Sequence, residues 1–170
     1  MMTRKLILVV FSVFLTFELF ACAHNTVPVP AGTPPVIARD GDGDGDSKLA
    51  KDILYYTNEF RATKGLPPLK LESYCSTLAE KHSENMASGK VPFGHDDFEI
   101  RNDAVTLKFH GVRAVAENVA YGTLDAKGVV DGWIKSPAHR KNMLGDYELI
   151  GIGTATKGRI TYFTQFFVKK

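Results

Sequence analysis

Cysteine is scarce in this chain. Its 170 residues hold two, Cys22 and Cys75. Cys22 sits at the end of an apolar leader, so only Cys75 belongs to the body of the protein, and no pair remains to form an internal disulfide. Stability therefore has to come from a buried core. Eleven Phe, six Tyr and one Trp within a 44% hydrophobic composition can furnish one. Excess charge is also lacking. A net charge of +2 gives no general attraction to nucleic acid or to an anionic membrane surface. No internal repeat is present, and the length fits one domain plus a leader.

The first 21 residues read as an export signal. Arg4 and Lys5 form a basic start, and Leu6 to Phe20 is an apolar run interrupted by Ser12, Thr16 and Glu18. That run is too short and too interrupted for a transmembrane helix. Leu19-Phe20-Ala21-Cys22 resembles the bacterial lipobox, in which the cysteine is lipidated and begins the mature chain. The alternative is cleavage after Ala21-Cys22-Ala23, before His24. Residues 22–47 read as a tether: four prolines between Val27 and Pro35, then alternating Asp and Gly from Asp40 to Asp46. Neither stretch can bury apolar surface. The Asp-Gly run begins like a calcium loop, but its twelfth position falls on Lys51 or Ile53, where a bidentate Glu is required.

The domain over residues 48–170 starts at a helix with Ser47 as its N-cap. Leu49, Ile53, Tyr56 and Phe60 fall on one face, and Gly65 and Pro67-Pro68 end it. A second helix carries Cys75, Leu78, Ala79, His82 and Met86 on one face. Asp97 to Phe109 and Asp125 to Ser136 read as helices, Val112 to Tyr121 as extended, and a new turn begins at Pro137. Leu149–Thr156 and Ile160–Val168 read as a hairpin turning at Lys157-Gly158. The last strand has Tyr162, Phe166 and Val168 on one face and Phe163 and Phe167 on the other, so both faces are covered. The expected fold is α+β, a three-layer α-β-α sandwich with a small central, mainly antiparallel sheet.

Three polar residues stand out. His95 follows Gly94, Glu117 lies in Ala116-Glu117-Asn118, and His139 follows Pro137-Ala138. Each has a distinct local setting, and the three could converge on one pocket. As zinc ligands they would offer two imidazole nitrogens and one carboxylate oxygen, with water completing the shell. As structure they would be a hydrogen-bonded network joining three segments. Their spacing matches no H-E-x-x-H helix, and neither Ser83 nor Ser136 sits in a nucleophile elbow. His82, on an apolar helical face, reads as a core histidine. Cys75 reads as a buried inert thiol, and Trp133 as helix packing. Arg140 and Lys141 read as solvent-facing.

The ordered motifs resemble the CAP superfamily: cysteine-rich secretory proteins, antigen 5 and pathogenesis-related proteins, in its short bacterial branch. The resemblance rests on Asn58-Glu59-Phe60-Arg61, Gly65 to Leu69, Ala79 to Ala87, Gly94-His95, Ala116 to Gly122, Trp133 to Leu144, Ile150 to Gly153 and Tyr162 to Phe167. It implies an α-β-α sandwich whose cleft is lined by two His and two acidic residues, and in which some members bind zinc. Carried over, these are His95, Glu117 and His139. The second acidic position, three residues after Trp133, is Ser136, which brings neither charge nor metal affinity.

The expected function is a non-catalytic ligand-binding or structural module of the cell envelope, exported and lipid-anchored through Cys22. Its cleft ligand would be a lipid, peptide or glycan, with no nucleic acid partner and membrane contact only through the anchor. No cofactor is required; zinc or another divalent metal at His95, Glu117 and His139 is the tentative addition. The rival readings are a zinc-dependent hydrolase with Glu117 as base, and a lipid or sterol carrier.

Overall fold

The computed structural model describes residues 43–170. The leader, the lipidation candidate Cys22 and most of the tether lie outside the described residues. Helix α1 spans Gly43–Ala62. It begins inside the Asp-Gly run, so Ser47 is a helical residue and not the cap expected of it. A two-residue strand β1 (Lys70–Leu71) leads into α2 (Ser73–Ser88) and α3 (Phe98–Phe109). Strand β2 (Ala114–Gly122), helices α4 (Ala126–Lys135) and α5 (Pro137–Met143), and strands β3 (Leu149–Lys157) and β4 (Ile160–Lys169) complete the order.

The sheet runs β1-β3-β4-β2. Only β1 and β3 pair in parallel; β3 with β4 and β4 with β2 are antiparallel. The hairpin turns at Gly158, whose φ of 63° suits a residue without Cβ. One apolar cluster joins Ile53 of α1, Val129, Val130 and Trp133 of α4, and Met143 of α5 to Ile150, Ile152, Phe163 and Phe167 of the sheet. The other joins Cys75 and Ala79 of α2 and Val105 of α3 to Phe166 and Val168. Residues of β4 thus alternate between two helical layers, as the pattern of the strand implies. The result is the expected α-β-α sandwich.

The two layers approach the sheet differently. On β3, Ile150 and Ile152 fill the side toward α1, while Gly151 and Gly153 face α2. A Cβ on Gly151 would run into the backbone of Cys75, and one on Gly153 into the backbone of Ala79 and Glu80. Helix α2 therefore lies directly on the strand. Buried polar side chains tie the connections. Asn58 donates to the Leu69 carbonyl and accepts from the Leu69 amide, which sets β1. Arg61, 1% exposed, donates to the carbonyls of Pro67, Met143 and Gly145.

Candidate functional site

Strand β2 is at an edge of the sheet, and both of its faces contribute to the site. In the antiparallel register Glu117 lies opposite Phe166, so its side chain points into the α2–α3 layer; Asn118, opposite Gln165, points the other way. Residues 89–97 link α2 to α3 and carry His95. Helix α5 carries His139 and packs beside the edge. Pro137 at the first helical position starts this helix, where the sequence reading has only a turn.

Glu117 is the hub. Its side chain is 1% exposed. Arg101 of α3 grips it with two parallel bonds, Nε to Oε2 at 2.7 Å and Nη2 to Oε1 at 2.8 Å. The remaining Nη1 donates to the Asp96 carbonyl at 2.9 Å. His95 donates from Nδ1 to Oε1 at 2.9 Å. Buried His82 donates from Nε2 to the Gly94 carbonyl at 2.8 Å, and the same nitrogen stands 3.8 Å from Oε1. Burial pushes the Glu117 carboxyl up, but the bonds from His95 and Arg101 overcome it and hold the group below its ordinary value. Burial lowers His82, despite the nearby carboxylate, so its ring is neutral at pH 7.

These contacts fix the loop before α3. Its backbone is unusual: Gly94 has φ 151° and Asp97, a non-glycine, has φ 61°. The bonds at Gly94 and Asp96, and the one from the Phe98 amide to the His95 carbonyl at 3.0 Å, hold that conformation. With Nδ1 given to Glu117, His95 presents Nε2 outward, and its side chain is 40% exposed.

His139 is held differently. Asn118 donates to the His139 carbonyl at 3.2 Å and to Gln165 at 3.1 Å, and Gln165 donates to Thr57 of α1 at 2.9 Å. Asn142 of α5 donates to the Glu117 carbonyl at 3.1 Å and to Asn118 Oδ1 at 2.9 Å. Trp133 Nε1 reaches the Val119 carbonyl at 3.4 Å. Helices α4 and α5 thereby satisfy carbonyls on the open edge of β2. The half-buried His139 ring makes no hydrogen bond among the described residues. Burial, and then the charge of His95, lower its pKa. Ser136 is buried between α4 and α5 without a side-chain capping bond.

The expected trio is thus partly assembled. His95 and Glu117 are in contact, while His139 is tied to the same strand through its carbonyl, by the neighbouring Asn118. As they stand they do not fit a zinc donor set: both Glu117 oxygens are taken by Arg101, and Ser136 brings no charge. Among the described residues, no three His, Cys, Asp or Glu side chains are grouped so that they could hold a metal ion. Cys75 is fully buried, its thiol pushed up to about 12 by burial and by Glu72. Trp133 and His82 are buried as expected. A separate hollow of about 450 Å³ runs along α1, lined by Lys51, Leu54, Tyr55 and Leu66 among others. None of its lining residues is His95, Glu117 or His139. Sequence reasoning missed Arg101, the residue on which the site turns.

Comparison with known proteins agrees with the fold. A family model described as CAP, the cysteine-rich secretory protein family, matches residues 54–168. The uncharacterized membrane protein YlbC of Bacillus subtilis is 32% identical over 123 residues, 71% of this chain and 34% of that protein. The uncharacterized protein YkwD of the same organism is 32% identical over 159 residues, 91% of this chain and 61% of that protein. The chain therefore spans from a third to three-fifths of the length of these relatives. Among solved structures, an extracellular protein containing an SCP domain from Bacillus anthracis superposes with a TM-score of 0.65 at 26% identity. That match covers 78% of this chain and 45% of the other.

Proposed function

The chain belongs to the CAP family, the cysteine-rich secretory proteins, and from that premise we propose that it is an exported cell-envelope module that binds a ligand without transforming it. The ligand contacts are His95 Nε2 and the His139 ring, across the edge of β2. The observation that carries this reading is the bidentate ion pair between Arg101 and Glu117. A carboxylate with both oxygens bonded and no exposure cannot take a proton from water or substrate as a general base must. What remains at the surface is a pair of imidazoles, one oriented by Glu117 and one unbonded. They suit hydrogen bonding to an envelope glycan or peptide.

Export is supported by the leader and by the likeness to the extracellular Bacillus anthracis protein. Lipidation of Cys22 would anchor the domain through several acyl chains. Mass spectrometry of the native N-terminus tests this, and a chain starting at His24 would refute it.

The cleft reading is tested by the binding of the full chain to isolated peptidoglycan and to synthetic cell-wall peptides, beside a His95→Ala, His139→Ala variant. Binding to one of them, weakened at least about tenfold in the variant and leaving the ligand intact, is expected; 1.4 kcal/mol corresponds to that factor. Equal binding by both proteins refutes the cleft reading. Ligand turnover that Glu117→Gln abolishes would make the protein a hydrolase.

Lipid carriage has one observation in its favour, the apolar hollow beside α1. Transfer of labelled lipid that Leu54→Glu abolishes and the histidine variant preserves would establish it.

A further inference from the structure

We propose that Arg101 is the resident cation of this cleft and closes the Glu117 carboxylate to metal ions. This rests on the reading that His95 and His139 line the ligand cleft, and it goes one step further, to why these residues do not also hold a metal.

Charge balance comes first. Glu117 is ionised and 1% exposed, so it needs a positive partner at short range. Arg101, itself buried, supplies it. Its guanidinium uses Nε and Nη2 on the carboxylate and Nη1 on the Asp96 carbonyl. The third contact is informative. It ties the cation to the loop that carries His95, so the guanidinium cannot swing away without loosening that loop. Arg is also the side chain that stays charged in such a place, where a buried Lys would lose its proton.

A divalent ion between His95 and His139 would need an anionic ligand. The carboxylate at hand is Glu117, and the residue at the other acidic position is Ser136. To reach Glu117 the ion would have to displace a bidentate guanidinium, or sit beside it and be repelled. Arg101 thus performs the neutralising role that a metal ion performs elsewhere. It also leaves His95 Nδ1 bonded to the carboxylate and Nε2 free, so the imidazole keeps its orientation without a metal. The same geometry makes a strong demand: without its guanidinium, the buried carboxylate must take up either a proton or another cation.

The test is the thermal midpoint of the full chain by circular dichroism at pH 7.5, with and without millimolar zinc. Four proteins are compared: the parent, Arg101→Met, Glu117→Gln, and the Arg101→Met, Glu117→Gln double variant. Zinc should raise the midpoint of Arg101→Met, or restore folding to it if it is unfolded alone. It should leave the other three unchanged. The gain in zinc affinity over the parent should be about 10- to 100-fold, the range over which outer contacts tune a metal site. It should vanish when His95 and His139 are also replaced by Ala. The proposal is overturned if Arg101→Met is indifferent to zinc, folded or not. It is equally overturned if the double variant responds as strongly, or if the parent responds and Glu117→Gln does not. Failure of the ligand-binding reading shows instead as equal glycan or peptide binding with and without the two histidines, at any state of Arg101.

Discussion

Arg101 and Glu117 meet as two planar groups, with Nε on Oε2 at 2.7 Å and Nη2 on Oε1 at 2.8 Å, both side chains under 8% exposed. The pair joins α3 to the edge strand β2. It also anchors the loop that precedes α3, because the same guanidinium holds Asp96 and the same carboxylate holds His95. The reactive-looking acid of the family motif is, in this chain, the centre of a structural clamp.

That clamp gives the protein a definite pH response. Burial holds His82 below its ordinary value, and burial and His95 do the same to His139. As pH falls through about 6.5, the unfolded chain takes up protons that these folded rings refuse, so stability falls with pH in that window. Glu117 is depressed in the folded state. Its contribution is present above its unfolded value of about 4.5 and is lost at lower pH, as the folded group protonates. Urea denaturation at pH 7.5, 6 and 5 should show a progressive loss, smaller in His82→Gln. A flat profile down to pH 5 would mean the imidazoles are not held neutral.

Asn118 should control the placement of His139. It bonds to the His139 carbonyl, Gln165 and Asn142. Asn118→Ala leaves buried partners unpaired, a loss of about 1–3 kcal/mol. Amide hydrogen exchange should then quicken along Pro137–Met143 more than along α2. Uniform quickening across the domain would contradict a local role.

The close seat of α2 on β3 should not tolerate a methyl group. Gly151→Ala and Gly153→Ala each force Cβ into α2 backbone. Overpacking of this kind costs about 1–3 kcal/mol or more, read as a lower thermal midpoint. An unchanged midpoint in both variants would show that the helix can shift freely.

Cys75, with its thiol pushed up to about 12 and no exposure, should be inert in the native protein. An aromatic disulfide reagent at pH 8 should label it only as fast as the domain opens, and at once in urea. Rapid native labelling would contradict its burial.

Much of this architecture is legible in the sequence. The helical faces of α1 and α2 and the two-sided aromatic pattern of β4 depend on local periodicity, and they appear where expected. Strand β1 is invisible because two residues carry no period. Helix α5 reads as a turn because Pro137 ends α4 and also begins the next helix. Arg101 is the instructive miss. A lone Arg in a polar-looking helix reads as solvated, since Arg is mostly exposed. The signal was its place between Phe98 and Val105, at spacings of three and four on an otherwise apolar face. A charge on such a seam needs a buried partner, and Glu117 supplies it. His95, Glu117 and His139 stand out in the sequence through their motifs, and of these the structure joins His95 to Glu117. That Glu117 is already engaged could be read only from the packing of α3.

The most direct measurement is a double-mutant cycle on Arg101 and Glu117, by urea denaturation of Arg101→Met, Glu117→Gln and the double variant. Removing one partner should cost about 3–5 kcal/mol, because it leaves the other buried and unpaired. The double variant should be destabilised by much less than the sum, with a coupling of about 2–3 kcal/mol. A single variant that cannot fold, beside a double variant that can, gives the same answer. Single effects that add to within about 0.5 kcal/mol would show that the pair is not the clamp, and that Glu117 is free for other chemistry.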